Sequence, residues 1–150
     1  DVANSGGRIK QYTATYSECG LAQSRLWPSG TLCITIAANI AKTGILEFDS
    51  CFPDSVVGFL PGNLVKTEYV QAWLGFLQPT LEKNAPQAAQ KNINLEILRG
   101  LPVLVPPLDL QKSFERRCLD ISAIQMQQAI ATQKAETTID ALLAHAFKEQ

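Results

Sequence analysis

Apolar and polar positions follow one rhythm up to residue 107 and another beyond it. In the first part Gly, Pro and Asn interrupt the chain at short intervals between β-branched runs. TLCITIAA (residues 31–38) alternates with a period of two and predicts a strand. Residues 44–48 and 55–60 predict two more around the CFPD turn, and residues 101–105 a last one. TYSECGLAQS (15–24) predicts a short helix, with Ser17 as N-cap and Glu18 in its first turn. Trp27-Pro28-Ser29-Gly30 reads as a turn, and Pro61-Gly62-Asn63 breaks the chain. In residues 67–83, Tyr69, Val70, Trp73, Leu74, Phe76 and Leu77 recur at helical spacing. Thr67 is placed to cap that helix, and Pro79 to bend it or end its first part. Residues 84–94 read as a polar loop and 95–98 as one helical turn. Strands outnumber helices without alternating with them, so the expected class is α+β, with a mixed sheet and short helices.

From residue 108 to 150 the pattern changes. These 43 residues contain neither Gly nor Pro and read as one long helix, roughly 60 Å at 1.5 Å per residue. A domain of this size has a radius of gyration of about 15 Å, so the helix is expected to project from it. Its apolar seam runs through Leu110, Phe114, Ile121, Ile124, Ala131, Ala135 and Leu142, with Arg117, Gln128, Thr138 and His145 on the same line. Leu119, Ala123, Met126, Ile130 and Leu143 flank it. Small and polar residues dilute this coiled-coil-like seam, and helix stability comes mainly from packing. The helix is therefore expected to pair with another long helix, from a second chain or from another part of the same one. Two domains follow, 1–107 and 108–150.

A hydrophobic content of 46% and a charged content of 18% place the chain among globular proteins rather than disordered ones. The longest apolar stretch, residues 31–41, is too short for a membrane helix. The opening DVANSGGRIK carries neither a leader pattern nor Met, which suggests a cytoplasmic protein and an internal piece of a longer chain. Cys19, Cys33, Cys51 and Cys118 have no C-x-x-C pair among them, so four reduced, structural thiols are expected and no metal site. The net charge of −1 excludes a protein that grips nucleic acid by bulk charge alone.

Little in the chain carries chemistry. His145 is the lone histidine, and the sequence offers no second His or neighbouring Cys to share a ligand set with it. There is no G-x-S-x-G, and neither Ser5-Gly6-Gly7-Arg8 nor Ala41-Lys42-Thr43-Gly44 has phosphate-loop spacing. No methyl-donor motif is present, so neither catalytic residues nor a cofactor are expected. What remains are polar and basic loops whose side chains suit phosphates and base edges. They hold Arg8, Lys10, Gln11 and Tyr12; Asn39, Lys42 and Thr43; and Lys83, Asn84, Gln87, Gln90, Lys91 and Asn92. Charge is mildly polarised, with four bases against two acids in residues 1–43 and three acids with no base in 44–57.

LPVLVPPLDLQKSFERR (101–117) is an extended run, a double proline and a helix start. It resembles the I-P-L-P-P-L-x-E-Q-x-x-I junction of type I restriction-modification specificity (S) subunits, where a target-recognition domain passes into a long helix. ALLAHAFKEQ (141–150) is similar to the L-L-x-x-A-F-x-G end of that helix. SGTLCITIAANIAKTGILEFDSCFPDSVVGF and NAPQAAQKNINLEILRGLPVLVP resemble the core of the recognition domain, in order and at the expected spacing. Leu110 stands where the family usually has Glu, Glu149 where it has Gly, and the opening strands of such a domain are missing. The resemblance implies the C-terminal part of an S subunit, or of a half-length one. It implies sequence-specific reading of one half of a bipartite duplex target, without catalysis. It also implies methylation (M) subunits and, through them, restriction (R) subunits as partners, with long helices spacing the half-sites. QKNINL (90–95) matches a stretch common to such domains, which points to a structural or backbone-contact role there rather than base reading. The competing expectation is an assembly module that uses the terminal helix and reads no DNA.

Overall fold

The structure, a computed structural model, describes residues 2–84 and 93–148, with Lys148 described for its backbone alone. It divides into two compact units, Asp1–Gln111 and Lys112–Gln150.

The first unit is built on a four-stranded mixed sheet in the order β1-β3-β2-β4. The strands are β1 (Arg8–Ile9), β2 (Leu32–Thr35), β3 (Thr43–Leu46) and β4 (Val56–Phe59). β1 runs parallel to β3, while β2 pairs antiparallel with β3 and β4. Leu32 lies opposite Ile45 and Phe59, and Ile34 opposite Thr43 and Val57. Side chains alternate across a strand, so Leu32, Ile34 and Ile45 share one face. Val70 and Leu74 of α2 (Thr67–Asn84) close that face into the main core. Ile40, Ala41 and Ile93 form a second, smaller cluster.

Among the described residues two helices carry side-chain N-caps, the first of them the one expected from sequence. Ser17 caps α1 (Glu18–Ala22), its hydroxyl accepting from the Gly20 N–H at 3.2 Å. Asn94 does the same for α3 (Leu95–Arg99), accepting from Ile97 N–H at 2.8 Å. The helix expected over residues 67–83 is present as α2, which departs from expectation only at its start. It continues through Pro79 to Asn84, because Gly75 and Pro79 are both exposed and water can reach the carbonyl that Pro79 leaves without an N–H. Thr67 is no cap: it is buried, and its hydroxyl donates to the Gly30 carbonyl at 3.4 Å.

Three other expectations are corrected. The segment around Arg8 is a short edge strand rather than a loop; two residues are too few to show alternation, and only pairing with β3 defines them. The strand expected over 31–38 stops at Thr35, because the chain turns there with Ala38 at φ 61° and Ala41 at φ 55°. Residues 101–105 form no strand. Pro102, Pro106 and Pro107 withhold donors, residues 102–105 are exposed, and the Leu104 carbonyl accepts from the Tyr69 hydroxyl at 2.9 Å.

α4 (Leu108–Lys148) begins in the first unit, and its remainder is the second. The unbroken helix matches the breaker-free sequence. Every residue from Leu119 to Phe147 is exposed, Ile121, Ile124 and Leu142 among them. Ser122, Thr137 and Thr138 turn their hydroxyls back onto the carbonyls four residues earlier.

Candidate nucleic-acid interface

The sheet face away from α2 carries Cys33 flanked by Gly44 and Gly58, with Thr35 beside Val56. It opens onto a cleft of about 550 Å³. Gln11, Tyr12, Thr35, Asn39, Phe48 and Phe52 are among its lining residues. Tyr12 meets Phe48 edge to face, with ring centroids 5.8 Å apart. Three of the side chains singled out from sequence, Gln11, Tyr12 and Asn39, are thus brought to one concavity from segments nearly 30 residues apart.

Asn39 sits at the tip of a tight turn. The Thr35 hydroxyl bonds the Asn39 and Lys42 carbonyls and accepts from the Lys42 N–H. Ala38 and Ala41 on either side are in the left-handed region, which costs a residue with a Cβ about 1–2 kcal/mol. The bonding of Thr35 holds that turn against the strain. Lys42 is exposed beside it, and Thr43 opens β3.

Other candidates are placed differently. Arg8 is half-buried and pairs with Glu68 of α2 at 3.1 Å, while Gln71 donates to the Gly7 carbonyl at 2.8 Å. Arg8 therefore ties β1 to α2. Lys10 is exposed next to it. Lys83 and Asn84 are exposed in the last turn of α2. Gln78 of the same helix donates to the Ile40 carbonyl at 3.2 Å, and Ile93 N–H donates to the Ile36 carbonyl at 2.9 Å. The turn bearing Asn39 and Lys42 is thereby held against α2 and against the point where the chain returns at Ile93. Gln87, Gln90, Lys91 and Asn92 lie outside the described residues.

Sequence reasoning missed Arg25 and Trp27. The Arg25 guanidinium lies 3.9 Å from the Trp27 ring centroid, and Trp27 stacks on Phe52 of the cleft. The WPSG motif signalled only a turn, because the ring's partner is 25 residues away.

All four cysteines are free, and among the described residues no cluster of His, Cys, Asp or Glu could hold a metal. Cys33 is 1% exposed, and burial disfavours its thiolate, pushing the pKa up to about 11. Alkylation at pH 8 followed by peptide mapping is expected to label exposed Cys19 and spare Cys33 until the protein is denatured. The unfolded chain ionises this thiol first, so its contribution to stability falls as pH rises from about 9 to about 11.

Residues 2–132 match the family of the type I restriction modification DNA specificity domain. The chain belongs to that family. That description places it in a restriction-modification class concerned with DNA specificity. Two solved structures share its fold. One, from work on complex assembly and conformational transition of the type I R-M system, has a TM-score of 0.57 at 20% identity over 81% of this chain. The other, the HsdS subunit from Thermoanaerobacter tengcongensis, has a TM-score of 0.52 at 20% identity over 68% of this chain. This chain spans 29% and 24% of the length of those two chains. The mixed sheet, the short helices and the long C-terminal helix of this chain are those the sequence led us to expect. Among the described residues, no helix is long and apolar enough to cross a membrane.

Proposed function

We propose that this chain reads one half of a bipartite duplex DNA target as the non-catalytic specificity part of a cytoplasmic type I restriction-modification complex. The observation that carries the reading is the meeting of Gln11, Tyr12 and Asn39 in one cleft of a DNA specificity domain. Asn and Gln amides pair with the N6 and N7 edge of adenine, and Tyr offers a ring and a hydroxyl. Lys10 and Lys42, exposed beside them, suit phosphates. Lys83, Asn84, Gln87, Gln90, Lys91, Asn92 and Thr43 are the further candidates, and Arg8 acts mainly by holding β1 in place. A net charge of −1 is compatible with this role when M subunits share the phosphate grip. R subunits would join through them. The seam of Leu110, Phe114, Ile121, Ile124, Ala131, Ala135 and Leu142 would pair with a second long helix, from another copy or from an N-terminal half, and set the half-site spacing.

Selection from a random duplex library by the chain assembled with its methylation partner tests this. A defined half-site is the expected result. Gln11→Ala or Asn39→Ala should then relax one position at a cost of about 1–3 kcal/mol. Lys10→Ala should weaken all sequences alike and lower the salt slope by about 1. The exposed apolar residues of α4 favour a second reading, assembly without readout. A complex that forms through α4 and selects no sequence would establish that reading instead.

A further inference from the structure

Arg25 lies between α1 and β2 and is exposed. An exposed arginine ordinarily samples many rotamers, but this one rests on a platform fixed from several sides. The Trp27 backbone exchanges two hydrogen bonds of 2.9 Å with Ser50. Its ring stacks on Phe52 with centroids 5.2 Å apart and planes 21° from parallel. Both rings lie over Gly58, where a Cβ would come within 2.8 Å of each. The sheet therefore holds Trp27 in place, and Trp27 holds the guanidinium at 3.9 Å. Phe52, at the far end of the stack, lines the cleft that receives Gln11, Tyr12 and Asn39.

The described residues leave the charge of Arg25 uncompensated. Among the described residues no carboxylate lies within ion-pair distance of it. Asp49, one residue before the Ser50 that anchors Trp27, accepts from the Ser29 N–H at 2.8 Å. A planar fork of donors, ordered before any ligand arrives, loses less entropy on binding and suits two acceptors lying in one plane. DNA offers such pairs in two places, the oxygens of a phosphate and the N7 and O6 of guanine.

We propose that Arg25, held flat on the Trp27–Phe52 stack, is a DNA-contacting residue whose guanidinium grips one such paired acceptor at the rim of the cleft. The inference rests on the DNA-reading function proposed above. Its test uses the complete specificity subunit assembled with its methylation partner and a labelled duplex carrying the selected target. Affinity is followed across a salt series for the wild type, Arg25→Ala and Arg25→Lys, with circular dichroism confirming that each variant folds. Arg25→Ala is expected to weaken binding about 5- to 150-fold, the range of one good bidentate contact. Arg25→Lys, which keeps the charge and loses the fork, is expected to recover only part of that. A loss confined to duplexes with guanine at one position assigns the contact to a base edge. An equal loss on every sequence, with the log–log salt slope reduced by about 1, assigns it to a phosphate. Wild-type affinity and slope in Arg25→Ala would overturn the inference while leaving the DNA-reading function intact. Full recovery by lysine would overturn the fork. A wild-type complex that selects no duplex would sink both proposals.

Discussion

Gln111→Ala is expected to destabilise the first unit by about 2–4 kcal/mol, read as a lower urea midpoint at an unchanged m-value. Gln111 is fully buried, and all of its amide is engaged. Its Oε1 accepts from the Lys66 N–H at 2.8 Å, which precedes the first turn of α2. Its Nε2 donates to the Leu64 carbonyl at 2.9 Å and the Pro106 carbonyl at 2.8 Å. One side chain thus satisfies three backbone groups on two separate segments. Each would be left without its partner by truncation, and an unmet buried polar group costs about 1–3 kcal/mol before water repairs part of the loss. Gln111→Glu is expected to be worse at neutral pH, since it aims a carboxylate at two carbonyl oxygens. Its deficit should shrink in acid, where the neutral carboxyl can donate again. The control is next door: Leu110 is 61% exposed, and Leu110→Ala should leave the unit's stability within about 0.5 kcal/mol. Equal effects at the two positions would refute the account of the anchor.

Leu32→Ala is the other large effect, about 3–5 kcal/mol by the same measurement. Leu32 has no exposed surface and lies on the central strand β2, between Ile45 on β3 and Phe59 on β4. Val70 and Leu74 of α2 close over it. Strands on both sides and a helix above leave the site little room to collapse, so a cavity should persist, and cavity volume is what raises the cost. Among the described residues the main core of this small unit has five buried members, so losing one takes a large share of a total of about 5–15 kcal/mol. If Leu32→Ala cost under 1 kcal/mol, that packing would be wrong.

The two anchors differ in how visible they are beforehand. Leu32 stands out in TLCITIAA, because period-two alternation of β-branched and apolar residues is a local signal. Gln111 sits among Leu110, Lys112 and Ser113 in a helical run, and nothing local separates it from a solvent-facing glutamine. The seam reading favoured Leu110 for its apolar spacing, yet within the first unit it is the glutamine that is buried. The candidate site shows the same division. Gln11, Tyr12 and Asn39 were picked out by residue type, but their meeting in one cleft depends on β1 pairing with β3 and on the turn after β2. Arg8 was picked out for its charge, and only its position opposite Glu68 makes it a tie to α2.

Periodicity and breakers alone determined the α+β class, the main strands β2, β3 and β4, the Ser17 cap and the unbroken α4, since each rests on neighbours within a few residues. The ordered motifs along the chain, which need no coordinates, were enough to place it in its family. The tertiary structure alone decided that β1 exists, that residues 101–105 stay unpaired and that α2 passes through Pro79. It alone revealed Arg25 on its aromatic stack and Gln111 in its socket. Those outcomes turn on partners 20 to 65 residues away or on solvent reaching a particular carbonyl, and neither distance in space nor exposure is written in the spacing of residues along a chain.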